Sequence, residues 1–353
     1  MKLAMTLLAR DEADVVDAQI SFHLHAGVDV VVATDNRSED GTREVFERYE
    51  RDGVLHLLSE DGDDLRQSEW VTRMARFAAT ELGADWVLNA DADEFWWPRA
   101  SSLKDILAAI PARFGVVRGA WRNFVPRPES EPFFADRMIV RHCRPTYLDD
   151  PMATVFKAVH RATSHVRVGR GNHEAFAEGL VPLRGWYPIE ILHFPVRSRE
   201  QCRRKYVTQY LALARNPDKG TPGQIVEAYE AAMAGRFDAF YDPLVLDDGA
   251  LERGLATGEL ALDARLRDLL RTLAVENGPE PRFRAPAERG RSVAFERSPV
   301  GDDALFAAET SVIPESEGAM WLEQRARALE RGIAALERSA GARLLRRLAR
   351  PWR

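Results

Sequence analysis

Between residues 3 and 95 short apolar runs alternate with segments of helical polarity, and this alternation limits the fold more than any other feature of the chain. Leu3–Leu8, the β-branched run Val28–Thr34, Val54–Ser59 and Asp85–Ala90 read as strands. Between them the spacing predicts helices over Val15–Ala26, Thr42–Arg51 and Trp70–Leu82, with Gly27 and Gly83 as stops. The acids of Asp11-Glu12-Ala13-Asp14 suit the start of the first helix. Repeated strand–helix–strand units imply an α/β fold, a mostly parallel central sheet flanked by helices. Ligands of such sheets lie beyond the carboxyl ends of the strands. Two polar clusters fall there, Asp35-Asn36 after the second strand and Asp91-Ala92-Asp93 after the fourth.

Further along, Ser101–Ile110, Ser198–Arg215 and Ile225–Ala234 read as helices, and residues 115–195 are strand-rich. Residues 277–300, rich in Pro, Gly and Arg, read as a linker. The expected organisation is a catalytic domain over 1–215 (a nucleotide-binding half 1–98 and an acceptor half 99–215), a helical and irregular extension over 216–316, and a helix over 317–353. With 45% hydrophobic and 29% charged residues the chain belongs to the globular class rather than the disordered one. A net charge of -6 gives no global attraction for nucleic acid, so no nucleic-acid partner is expected. Two cysteines, no secretion-signal layout and no run of 18 apolar residues lead to the expectation of a cytoplasmic protein.

Asn89-Ala90-Asp91-Ala92-Asp93-Glu94-Phe95 is the most informative segment. Two carboxylates at i and i+2 beyond a buried strand repel each other, and a divalent cation offsets that repulsion. Mg2+ and Mn2+ take oxygen ligands, commonly one or two carboxylates plus substrate phosphates. A capped turn with solvated acids is the other reading of the same residues. The bulky Phe95-Trp96-Trp97-Pro98 that follows borders the turn with large groups instead of open solvent.

Four segments in order resemble the family 2-type glycosyltransferases with the GT-A fold: Leu8-Ala9-Arg10-Asp11-Glu12, Asp35-Asn36-Arg37-Ser38-Glu39-Asp40-Gly41-Thr42, Asp85 through Phe95, and Ile191-Leu192-His193-Phe194-Pro195-Val196-Arg197-Ser198. The resemblance covers residues 1–215. It implies a metal-dependent transferase that moves a sugar from a nucleoside-diphosphate sugar, UDP favoured, to a hydroxyl of a glycan, lipid-linked or small-molecule acceptor, with inversion. It implies Ala9, Arg10, Glu12 and Asp35 around the base and ribose, and Asp91 at the ribose or the metal. Asp91, Asp93 and His193 would be the Mn2+ or Mg2+ ligands, with Arg197 and Lys205 at the diphosphate. An Asx turn at Asp35, a core role for His193 and a solvated basic face for the run Arg199–Lys205 remain alternatives at these positions.

The catalytic base is harder to place, because the Glu-Asp pair that relatives carry about 90 residues after the metal motif is missing here. Gly169-Arg170-Gly171-Asn172-His173-Glu174 is the nearest polar cluster, making Glu174 the first candidate and His173 the second, with an ordinary hairpin turn as the alternative. Trp96, Trp97, Trp121, Trp186 and Tyr187 are candidate sugar-stacking surfaces, although core is the commoner fate of such residues. The tail from Trp321 to Trp352 is amphipathic and basic, suited to peripheral membrane contact or to packing on protein. Competing functions are a nucleotidyltransferase and a non-catalytic carbohydrate-binding or scaffold protein. The first is disfavoured by the acidic, glycine-free loop Ala9-Arg10-Asp11-Glu12, which is ill-suited to a triphosphate.

Overall fold

The computed structural model describes residues 1–62, 66–99, 102–143, 156–183, 187–215, 221–285 and 295. Trp186 and the tail helix expected over 317–353 lie outside the described residues. Those that are described belong to one compact unit, Met1–Asp302.

The first half alternates as the apolar pattern requires: β1 (Leu3–Ala9), α1 (Val16–His25), β2 (Val30–Asp35), α2 (Thr42–Arg51), β3 (Leu55–Ser59), α3 (Gln67–Thr80) and β4 (Trp86–Asp91). Both faces of β1 and β2 are covered. Leu3, Met5, Leu7, Val31 and Ala33 pack with α1 and α2 residues on one face. Ala4, Val30 and Val32 meet Val71, Met74, Ala75 and Ala78 of α3 on the other. This two-sided burial is why β2 reads as a continuous apolar run without alternation. Gly27 follows α1 with φ 110, a conformation that L side chains resist, so the chain turns at once into β2.

The second half comprises β5 (Glu94–Pro98), α4 (Leu103–Ala108), β6 (Val116–Asn123), α5 (Phe134–Arg137), β7 (Val140–His142), β8 (Phe156–Arg161), β9 (Arg167–Val168), β10 (Ala175–Phe176) and β11 (Ile189–His193). After it come α6 (Arg199–Ala214), α7 (Gly223–Met233), α8 (Phe237–Tyr241), α9 (Asp248–Thr257), β12 (Leu260–Leu262) and α10 (Arg265–Leu273). The central sheet has eight strands in the order β3-β2-β1-β4-β8-β6-β11-β5. Strands β1 to β4 are mutually parallel, β8 opposes both β4 and β6, β11 is parallel to β6, and β5 opposes β11. All the strands except β8 and β5 therefore end at the same edge, and those two begin there. This mixed, mostly parallel sheet between helices is the α/β architecture expected from the sequence.

The tripeptide Phe95-Trp96-Trp97 forms most of β5, a fully buried strand. It closes the sheet beside β11, with Glu94 opposite His193. Its outward backbone is not open to solvent, since the Trp96 N–H donates to His23 Nε2 at 3.2 Å. Beyond residue 215, β12 pairs with β7. Arg265 bonds Glu190 at 3.0 Å, tying the start of α10 to the sheet.

Candidate active site

The shared sheet edge collects residues that are far apart in sequence. Ala9, Asp35, Asp91, Asn123 and His193 are the last residues of β1, β2, β4, β6 and β11, whereas Glu94 and Lys157 stand at the beginnings of β5 and β8. A cavity of about 390 Å³ opens over this edge. Its far wall is one face of α6: Gln201, Arg204, Lys205, Thr208, Gln209 and Ala212 recur three, four and seven residues apart. Ser198 starts that helix, its hydroxyl accepting the N–H of Gln201.

Asp93 and His193 meet in the middle of the cavity. His193 Nε2 lies 3.7 Å from Asp93 Oδ2, and Lys205 Nζ lies 2.6 Å from the same oxygen. His193 Nδ1 is 2.7 Å from Asn123 Oδ1, so Nδ1 carries the proton and Nε2 presents a lone pair toward Asp93. The imidazole stacks on Trp121 with ring centres 4.0 Å apart. Burial, reinforced by the neighbouring cations, pushes His193 down to about 3. The ring is therefore neutral at pH 7 and contributes no charge. Burial opposes ionisation of Asp93 as well, but the Lys205 ammonium prevails and holds that carboxyl well below the usual range.

Asp91 has other partners. Its Oδ2 is 2.5 Å from Lys157 Nζ, and its Oδ1 accepts from Asn172 Nδ2 at 2.9 Å and Gln67 Nε2 at 3.3 Å. The same ammonium lies 2.8 Å from Glu94 Oε1, which also accepts from Trp121 Nε1. Burial, together with the charges of Asp91 and Asp93, pushes the Glu94 carboxyl up to about 8 despite Lys157.

The loop after β1 supplies Ala9, Arg10, Asp11 and Glu12 to the cavity, and Asn36 lines it from the end of β2. Asp35, beside Asn36, is buried. Its carboxylate accepts the Ser38 N–H at 3.4 Å and lies 3.5 Å from Arg43. This is an Asx-type turn with an ion pair. The Asn36 amide donates to the carbonyls of Glu60 and Gly62, which leaves its oxygen as the remaining acceptor.

Of the remaining expected site residues, Arg197 lies outside the cavity lining, its guanidinium enclosed by Glu12, Asp14 and the Phe194 carbonyl. Burial pushes Glu12 up to about 7 even with Arg197 and Lys205 beside it. Glu174 lies at the start of β10 outside the cavity, 3.9 Å from Arg118, whereas His173 lines it. His173 Nδ1 donates to the Phe156 carbonyl at 2.7 Å and Nε2 keeps its lone pair. Trp96, Trp97 and Tyr187 are core residues, and only Trp121 of the described aromatic candidates lines the cavity.

Asn123, Lys157 and Gln67 were not anticipated. Their only local signal is position at a strand or helix terminus, and their role depends on pairings that span tens of residues. Arg204, grouped with the solvated basic run, faces the cavity and donates to the Asp11 carbonyl at 3.1 Å.

Asp93 and His193 fit two positions in the shell of a divalent ion, which would share Asp93 Oδ2 with Lys205. Asp91 already accepts from Asn172, Gln67 and Lys157. Among the described residues no group of three or more His, Cys, Asp or Glu side chains could hold a metal ion.

No protein-family model matches the sequence, and no curated protein is similar to it. Solved structures show distant similarity. Staphylococcus aureus TarS residues 1–349 in complex with UDP-GlcNAc is 13% identical over 77% of this chain and 91% of that one, with a TM-score of 0.37. The glucosyl-3-phosphoglycerate synthase of Mycobacterium tuberculosis, in complex with Mn2+, UDP and glucosyl-3-phosphoglycerate, is 20% identical over 34% of this chain and 44% of that one, with a TM-score of 0.24. A 4-diphosphocytidyl-2C-methyl-D-erythritol synthase is 15% identical over 46% and 75%, with a TM-score of 0.27. At these scores the similarity carries no assignment.

Proposed function

We propose that the chain is a glycosyltransferase that takes a sugar from a nucleoside-diphosphate sugar, UDP favoured, and passes it to an acceptor hydroxyl with inversion. The observation that carries this reading is the Asp93–His193–Lys205 group. A carboxylate, a neutral imidazole and an ammonium converge at the carboxyl edge of the sheet, where a diphosphate would complete the set. Asp93 and His193 would hold Mn2+ or Mg2+, and the ion when bound would act as a Lewis acid on the diphosphate oxygens. Lys205 and Arg204 meet the negative charge that grows on the departing nucleoside diphosphate. Ala9, Arg10, Glu12 and Asn36 surround the base and ribose, with Asp35 shaping the loop behind them. His173 takes precedence over Glu174 as the group that accepts a hydrogen bond from the acceptor hydroxyl, because its unprotonated nitrogen belongs to a cavity residue. Arg197 keeps Glu12 in place and does not itself touch phosphate.

A thermal-shift panel of nucleoside diphosphates and nucleotide sugars, with and without Mn2+, tests the assignment. Saturating UDP with Mn2+ at about 100 times its Kd is expected to add about 2.7 kcal/mol of apparent stability, and Asp93→Ala to abolish the gain. Stabilisation by CTP alone would favour nucleotidyl transfer, and no response to any nucleotide would favour a scaffold.

A further inference from the structure

The geometry points to Asp91 as a positioning residue that docks the turn 169–174 over the cavity and so sets His173, rather than as a ligand of donor or metal. The two acids of the motif have diverged. Asp93 faces a lone pair and a single ammonium, whereas Asp91 Oδ1 receives two amide donors and Oδ2 an ammonium. Its side chain still shows about a quarter of its surface (27%), but three of its acceptor positions are taken by Asn172, Gln67 and Lys157.

The turn needs such an anchor. Asn172 has positive φ, 59, next to Gly171 at 66, and for a residue other than glycine that conformation is unfavourable unless surrounding contacts hold it. Asn172 is fully buried. Because a carboxylate only accepts, the Asn172 amide must turn its nitrogen to Asp91, which fixes the orientation of the side chain. Gln67 bridges the two partners, donating to Asp91 and accepting the Gly171 N–H at 3.1 Å. His173 is then held from both sides. Nδ1 is fixed by the Phe156 carbonyl, and the ring lies so close over Gly171 that a Cβ there would be 2.6 Å from Nε2. The latch thus runs from β4 through Asn172 and Gln67 to His173, the histidine of the turn, which lines the cavity.

The consequence for turnover rests on the function proposed above, and the structural claim does not. The test is amide hydrogen exchange across residues 169–174 in ligand-free protein, set beside UDP affinity in Mn2+ and the rate of UDP release from UDP-N-acetylglucosamine. Asp91→Ala and Asn172→Ala are each expected to speed exchange in the turn by about tenfold or more. Both should lower kcat by about tenfold while leaving donor KM and UDP affinity within about twofold, since a displaced group costs the reacting geometry and not donor binding. Asp91→Asn keeps an oxygen for Asn172 and Gln67 and should restore most of the protection. Unchanged exchange in Asp91→Ala, or unchanged kcat in Asn172→Ala, overturns the proposal. So does a roughly tenfold loss of UDP affinity in Asp91→Ala that Asn172→Ala does not share, which would make Asp91 a ligand. A wild-type protein that binds no nucleotide refutes the function, and the exchange measurement then decides the latch alone.

Discussion

Lys157 is the residue on which the charge balance beneath the cavity turns. Its side chain is only 1% exposed, lies within 2.8 Å of both Asp91 and Glu94, and sits 5.1 Å from the Trp121 ring centre. Burial alone would favour the neutral amine, but the two carboxylates reverse this and raise its pKa. Lys157→Met keeps the volume of the stem and removes the charge, leaving the buried Glu94 and the half-buried Asp91 without their shared counter-charge. The expected cost is about 3–5 kcal/mol, the usual result of breaking a buried ion pair from one side. Urea unfolding of the variant checks it, and a loss below about 1 kcal/mol would mean that burying the ammonium costs nearly as much as its pairing returns.

Among the elements, α6 contributes most to the site; its start is legible from residue types, whereas the face it turns to the cavity is not. Ser198 precedes a helical stretch and caps it, and the spacing of Gln201, Arg204, Lys205, Thr208, Gln209 and Ala212 defines one side. Ser198→Ala should cost about 1 kcal/mol in chemical denaturation and leave UDP affinity nearly unchanged, because the face is carried by turns beyond the first. Other elements were less legible, for physical reasons. The start of α3 lies at Gln67, three residues ahead of the periodic pattern. That first turn is held by tertiary bonds instead of an apolar stripe: Gln67 to Asp91 and Gly171, and Ser68 to the Val168 carbonyl. Strand β5 was hidden for a related reason. Nothing local says that Glu94 will lie opposite His193, since antiparallel closure by a strand some 90 residues away is a property of the whole sheet. The parallel half, built from adjacent strand–helix units, was readable. Asn123 and Lys157 enter through β6 and β8, whose places in the sheet are not set by their neighbours in the chain.

At the scale of the whole molecule, the buried histidines make stability depend on pH in one direction. Burial pushes His23 and His160 down to about 4, and His173 and His193 down to about 3. In the unfolded chain an imidazole takes up its proton near pH 6.5. Between that value and the folded pKa the unfolded state binds more protons, so stability falls as pH falls through this window. Glu12 and Glu94, raised to about 7 and about 8, act oppositely: the folded state holds their protons above pH 4.5, which favours it on acidification. The lowered imidazoles, His25 and His142 among them, outnumber the two raised carboxyls, so the net effect is a loss of stability as pH falls toward 5. His23 and His160 isolate the effect because both lie away from the cavity. His23 accepts the Trp96 N–H at the sheet edge, and His160 has a buried Nε2 that has no hydrogen-bond partner among the described residues and that protonation would charge. Urea unfolding at pH 7, 6 and 5 should show the wild type losing stability steadily, with a shallower decline in His23→Asn and in His160→Asn whatever each loses at pH 7. Parallel profiles in wild type and variants would mean that these two imidazoles keep their ordinary pKa inside the fold, and that the sheet admits water or a counter-charge at both positions.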